Sequence, residues 1–208
     1  MAKELAIPIH IHVAETKEES GIILKRNGKR PLAFLEELGY LEYPSVFAHG
    51  VELKEQEIER LATSQVAIAH NPISDLKLAS GIAPIIQLQK AGVAVGIETD
   101  SVASNNNLDM FEEGRTAALL QKMKSGDASQ FPIETALKAL TIEGAKILGM
   151  ENQIGSLEVG KQADFLVIQP QENMLSHLVY AVKSSDVDDI YIAGEQVVKQ
   201  GQVLTVEL

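Results

Sequence analysis

Three histidines and one aspartate stand at the ends of four short apolar runs. His12 closes Ile7–Val13, His49 closes Val46–His49, His70 closes Val66–His70, and Asp100 follows Val93–Ile97. Imidazole nitrogens and carboxylate oxygens are the ligands that zinc and iron accept. A carboxylate at such a place can also take a proton from metal-activated water. The chain has no cysteine, so disulfides and thiolate sites are excluded and a transition metal must use these groups. The chemistry suggested is metal-dependent hydrolysis.

Each residue also has a plainer reading. His12-Val13-Ala14-Glu15 places a glutamate where it can turn back over the histidine as a general acid–base, or simply in solvent. His10 shares a strand face with His12. It either joins His12 on a metal or lies one layer deeper as a hydrogen-bonded core residue, and the deeper place is the expected one. His49 precedes Gly50, which allows a tight turn beside a ligand, although a lone histidine there is often structural. His70 opens the polar stretch Asn71–Ser80, expected as a loop, and is read as a wall of the site; Asn and Ser also satisfy turn backbone. Asp100 could be a helix cap, but the next expected helix begins at Leu108, too distant for that role.

The runs alternate with helical segments. A loop and helix span Glu18–Tyr40, with Ala33, Phe34, Leu35 and Leu38 as the apolar stripe. Further helices are expected over Lys54–Ser64, Ile82–Ala91, Leu108–Lys124 and Ile133–Leu148. A β-α-β-α-β-α-β order with short links implies parallel strands and right-handed crossovers. Ligands gathered at the C-terminal ends of parallel strands are how (β/α) barrels build their sites. From Gly149 onward the texture becomes turn-rich. Ala163–Ile168 reads as a strand, with a hairpin of Asp189–Ala193 and Gln196–Lys199 around Gly194-Glu195. Residues 1–149 and 150–208 are therefore expected as two units, the second antiparallel β.

At 208 residues and 45% hydrophobic, the chain can bury a good-sized core. Its net charge of −11 argues against nucleic acid or an anionic membrane as partner. Met1-Ala2-Lys3-Glu4 carries no apolar leader and no run is long enough to span a bilayer, so a cytoplasmic location is expected.

Several strings together resemble the amidohydrolase superfamily. The resemblance is to its 5′-methylthioadenosine/S-adenosylhomocysteine deaminase branch, beside the triazine chlorohydrolases. They are His12-Val13-Ala14-Glu15-Thr16, Ala48-His49-Gly50, His70-Asn71-Pro72, Lys77-Leu78-Ala79-Ser80-Gly81, Thr99-Asp100-Ser101, Ala103 through Met110, and Ile154 through Asp164. The resemblance implies the C-terminal half of a (β/α)8 barrel, from strand five onward, plus the C-terminal strands of a small β-sandwich. It implies His12 and Asp100 as metal ligands, with Zn2+ (or Fe2+) as cofactor. It implies Glu15, His49 and Asp100 as catalytic groups, with Glu15 also touching a purine nucleoside-type substrate. The implied reaction is hydrolytic deamination of the adenine ring at C6.

The departures concern the metal. The family's first-strand His-x-His pair is not matched; His10-Ile11-His12 mimics it but sits at strand five. Two ligands alone would hold zinc weakly. Glu98 stands where the family has glycine, where its charge is expected to disturb packing or the local field, and Asp75 stands where it has asparagine. A half barrel exposes sheet edges and an apolar interior, so homo-oligomerisation is expected. The alternatives are a non-catalytic half-barrel module needing a partner, or another amidohydrolase of the guanine deaminase or triazine hydrolase type.

Overall fold

The structure is a computed structural model that describes residues 2–5, 7–169 and 173–205. Four parallel strands, β1 (Ile9–Val13), β2 (Ser45–His49), β3 (Val66–His70) and β4 (Val95–Ile97), lie side by side in chain order. The first four helices are α1 (Ala2–Leu5), α2 (Lys17–Asn27), α3 (Pro31–Glu37) and α4 (Glu55–Leu61). Next come α5 (Pro72–Lys77), α6 (Ile85–Lys90), α7 (Val102–Asn105) and α8 (Met110–Ser125). They are followed by α9 (Ile133–Leu140), α10 (Ile142–Ile147) and α11 (Met174–Tyr180). A second, antiparallel sheet holds β5 (Phe165–Ile168), β6 (Val187–Ile192), β7 (Glu195–Lys199) and β8 (Gln202–Val203).

The strand register divides the parallel sheet into two chemically different faces. Ile11, Phe47, Ile68 and Val95 form one row across it; the last three belong to the main hydrophobic cluster, with Leu32, Leu61, Ile85 and Leu88, and Ile11 packs against it. Their neighbours His12, Ala48, Ala69 and Gly96 form the row on the opposite face. Gly96 is required there: a Cβ would lie 2.7 Å from Ile147 Cδ1 and 3.1 Å from Gly144 Cα. β2 and β3 are buried along their whole length, as unbroken apolar runs in a covered parallel sheet should be. Among the described residues β1 pairs only with β2, and its His10 and His12 are exposed.

Several expectations are corrected. The stretch before Tyr40 holds two helices. Thr16 caps α2 by accepting from Glu19 N–H at 3.0 Å, and Gly28 ends it in the left-handed conformation. Asn71–Ser80 is no simple loop, because α5 starts there with Pro72 in its first turn. Val102–Asn105 is likewise helical, capped by Ser101. The single helix expected over Ile133–Leu148 breaks at Thr141 (φ −130°, ψ −99°). The tail is not β alone: α11 packs on α8 and α9, while Arg115 Nη2 donates to Val182 O at 2.6 Å. The expected hairpin is present, but it turns through Ala193 and Gly194, both at positive φ as a two-residue turn requires, one residue before the expected Gly194-Glu195, and Glu195 begins the second strand.

Helix α8 ties this frame to the loops above the strands. Asp109 caps it, accepting from Phe111 and Glu112 N–H, and its buried stripe includes Glu113, Ala117 and Gln121. Glu113 accepts from Ile73 N–H at 3.2 Å and from the Asn105 side chain, and so ties the first turn of α5 to the last residue of α7. Burial outweighs these donors and pushes its pKa up to about 7. The ordinary value is 4.5, so between the two the folded chain holds a proton that the unfolded chain releases. That contribution to stability is complete below the lower value and is lost as pH rises through the upper one. Replacing Glu113 by Gln should remove it. The stability of the native chain relative to E113Q should fall by roughly 1–3 kcal/mol from pH 5 to pH 8, read from urea unfolding curves. A pH-independent difference would refute this reading.

Candidate metal and hydrolytic centre

His12 lies at the end of β1 on the face opposite the core. Its ring meets that of His49 edge-on, with centroids 5.1 Å apart and planes at 87°. By register His49 should point to the core face, level with Val13. Its φ of +72° breaks the alternation and turns the ring to His12. Gly50 continues the turn at φ +65°, where a Cβ would press 2.9 Å against Leu53 Cδ1.

Glu15 is held from behind. Glu19, in the first turn of α2, accepts from Ala14 N–H (3.2 Å) and Glu15 N–H (2.7 Å) and fixes the loop. The Glu15 carboxylate then reaches Ser80 Oγ at 3.3 Å and lies 3.8 Å from His49 Nε2. One donor atom each from His12, Glu15 and His49 fall within 4.8 Å of one another. Two imidazoles and a carboxylate are a set suited to zinc.

His49 is fully buried. Its Nδ1 lies 2.9 Å from Asp75 Oδ1, and its backbone N–H donates to Asn71 Oδ1 at 3.1 Å. Its Nε2 has no hydrogen-bond partner among the described residues. Burial opposes a charge on the ring, but the hydrogen bond to Asp75, then the charges of Asp75, Glu15 and Asp100, hold its pKa above the ordinary value. For Asp75, burial is the largest influence and moves the carboxyl upward against the pull of His49.

Asp100 sits at φ +59° with three donors on its carboxylate: Ser74 Oγ (2.6 Å), Ser104 Oγ (2.7 Å) and Ser101 N–H (2.6 Å). Burial would raise its pKa, yet these bonds, with the charge on His49, hold it below the ordinary value. Asp100 is not one of the three residues whose ligand atoms converge. The helix it adjoins, α7, is capped by Ser101 beside it.

His70, read as a site wall, is instead enclosed, at 0% exposure. Burial, with the charges of His49 and Lys124, lowers its pKa to about 3, so the ring is neutral. It has no surface to offer a bound molecule. His10, expected deeper in a core, is about half exposed and pairs with Glu98 at 3.2 Å. The cause is its strand: β1 is an edge, and that face is uncovered among the described residues. Glu98 also accepts from Asn71 Nδ2 at 2.8 Å, so its charge is partnered rather than disruptive.

Sequence reasoning assigned Asn71 and Ser74 only a turn-forming role, left Glu19 without one, and marked Asp75 only as a departure. The signals were present: a Thr16-x-x-Glu19 start, and Asn71-Pro72 opening a helix that carries Ser74 and Asp75 in its first turns.

Residues 1–197 match the amidohydrolase family. The chain is 49% identical over 215 residues to a 5-methylthioadenosine/S-adenosylhomocysteine deaminase of Bacillus cytotoxicus, covering 100% of this chain and 49% of the relative. A Bacillus cereus (strain G9842) deaminase of the same name is 48% identical over the same shares. The chain thus spans about half the length of the curated relatives it matches. An adenosine deaminase from Xanthomonas campestris with bound zinc superposes with a TM-score of 0.95 at 41% identity, over 99% of this chain and 48% of that one. An atrazine chlorohydrolase from Arthrobacter aurescens TC1, complexed with zinc, gives 0.88 at 27% identity, over 100% and 47%. From these matches and the site they overlie, the chain belongs to the amidohydrolase family.

Proposed function

We propose that the chain provides the strand-five-to-eight half of a (β/α)8 barrel in a zinc-dependent hydrolase that deaminates adenine rings. Residues 1–149 are that half barrel, and residues 150–208 contribute strands to a small β-sandwich. The observation that carries this reading is the convergence of His12, Glu15 and His49 above the strand ends, in a chain half-identical to adenine-nucleoside deaminases. Substrates of the S-adenosylhomocysteine and 5′-methylthioadenosine type fit it best.

The strand-end donors would hold a zinc ion, and the chemistry it would supply there is polarisation of a water molecule into a nucleophile at neutral pH. The remaining work belongs to side chains. Glu15 stands free enough to carry a proton to the purine ring nitrogen and to the departing ammonia. His49, held by Asp75, turns Nε2 to the same space and orients the attacking water. Asp100 stays ionised under its three donors and supplies negative charge beside the cation. His70, enclosed beneath, makes no substrate contact. Iron is the alternative metal for the same donors.

A second reading has its own support in the chlorohydrolase likeness: hydrolysis of a triazine ring. Ammonia release from S-adenosylhomocysteine and 5′-methylthioadenosine, and chloride release from atrazine, separate the two. The expected result is ammonia release by the zinc-loaded chain, with Glu15→Gln lowering kcat by about 10²–10⁴-fold. Chloride release alone would favour the triazine reading. No turnover of either substrate class would leave a half-barrel module that acts only with a partner.

The outer edge of β1 is unpaired among the described residues. Exposed parallel edges recruit further strands, and self-association at micromolar concentration should follow. Sedimentation velocity reads it directly; a single monomeric boundary would contradict it.

A further inference from the structure

We infer that Glu113 is a positioning residue for the reaction, its one buried carboxylate holding, with one oxygen each, the two segments on which Glu15, His49 and Asp100 are set. The inference rests on the roles those three groups have in the proposed function. Glu113 acts through Ile73 and Asn105.

The ties divide between the two oxygens. Oε2 accepts from Ile73 N–H at 3.2 Å, in the first turn of α5, and Oε1 accepts from Asn105 Nδ2, at the end of α7. In α5 the next residue, Ser74, donates to Asp100 Oδ2 at 2.6 Å, and Asp75 holds the His49 ring at 2.9 Å. The Asp75 carbonyl accepts from Ser80 N–H at 2.9 Å, and Ser80 Oγ donates to Glu15 Oε1 at 3.3 Å. On the other side, Asn105 Nδ2 also donates to Thr99 O at 2.7 Å, directly before Asp100. Its neighbour Ser104 donates to Asp100 Oδ2 at 2.7 Å. All three reacting groups are therefore reached from the segments that Glu113 holds.

Glu113 is fully buried, and a buried carboxylate is costly unless its oxygens are hydrogen-bonded. Its partners nonetheless call for one. Both are N–H donors, so two acceptor atoms are needed at this point. A glutamine has one acceptor oxygen and would set its NH2 group against one of the donors. An apolar residue would leave both donors buried without a partner. The support behind the carboxylate is close-packed. Asp109 caps α8, and at Gly114, beside Glu113, a Cβ would lie 2.5 Å from Leu140 Cδ1 of α9.

The test compares the native chain with Glu113→Gln, which fills the same space with one acceptor fewer. At pH 8 the native carboxyl, with a pKa of about 7, is ionised. Amide hydrogen exchange by NMR is the first readout, and ammonia release from S-adenosylhomocysteine by the zinc-loaded chain is the second. Exchange at Ile73, or at Asn105 and Asn106, should quicken at least about tenfold, while Ala62 at the end of α4 keeps its native rate. Turnover should fall about 10–100-fold in kcat, because small misplacements of reacting groups cost rate. KM should stay within about threefold, the mark of a loss felt in the transition state. Asn105→Ala leaves Glu113 in place; it should quicken exchange in α7, spare Ile73 and lower kcat, and it decides the question if Glu113→Gln does not fold. Native exchange rates in folded Glu113→Gln overturn the inference. So does exchange quickened equally at Ala62, which signals a general loss of stability, or an unchanged kcat. If the native chain releases no ammonia, the deaminase reading falls, and exchange at the two segments alone judges whether Glu113 holds them. Native ammonia release with unaltered exchange in the variant keeps that reading and removes the role of Glu113.

Discussion

The buried hydrogen bond between His49 and Asp75 is the constraint around which the centre is arranged. Both side chains are almost wholly removed from water. A buried carboxylate or imidazolium without a partner is costly, and removing either member strands the other. The pair therefore fixes the relative placement of β2, which ends at His49, and α5, which carries Asp75. Asn71 adds a second tie between the same elements through the His49 backbone N–H. Glu113 of α8 then grips α5 at Ile73, so the outer helix layer braces the loop that braces the ring.

Backbone conformation does the rest of the aiming. Ala14, His49 and Asp100 all adopt positive φ just where their strands finish. Such conformations cost about 1–3 kcal/mol each in residues other than glycine and persist only when surrounding contacts over-determine them. The contacts are present: Glu19 on the amides after Val13, Asn71 on His49, and three donors on Asp100. Strain concentrated at three strand ends, each locked by a neighbouring loop, is what a site needs and a structural core does not.

The strands were legible because parallel, doubly covered strands are short β-branched or alanine-rich runs, as Val66–His70 is. The strand-end histidines were legible for the same reason: a polar residue closing an apolar run marks the rim of a sheet. The short helices α5 and α7 were not. Six- and four-residue helices carry too few turns for an apolar period, and only their caps betray them. The break at Thr141 was hidden because an apolar stripe continues on either side of it. Partnerships between distant loops, such as Ser74 with Asp100 or Asn71 with Glu98, leave no local pattern at all. His10 was misplaced because its burial depends on what covers β1, which strand alternation alone does not specify.

Asp75 and Glu98 act on the same network. Asp75 gives His49 an ionisable partner where asparagine would give a neutral one, and a charge-assisted bond is about twice as strong. Glu98 accepts from the Asn71 amide and so leaves Asn71 Oδ1 facing the His49 N–H. An amide rotated the other way would set its NH2 group against the His49 N–H and its oxygen against the Glu98 carboxylate, and lose both bonds. Asp75 thus holds the ring of His49, and Glu98, through Asn71, holds its backbone. Asp75 sets a carboxylate 2.9 Å from Nδ1 of His49. Charge placed there favours a cation on the far side of the ring, where Nε2, His12 and Glu15 meet.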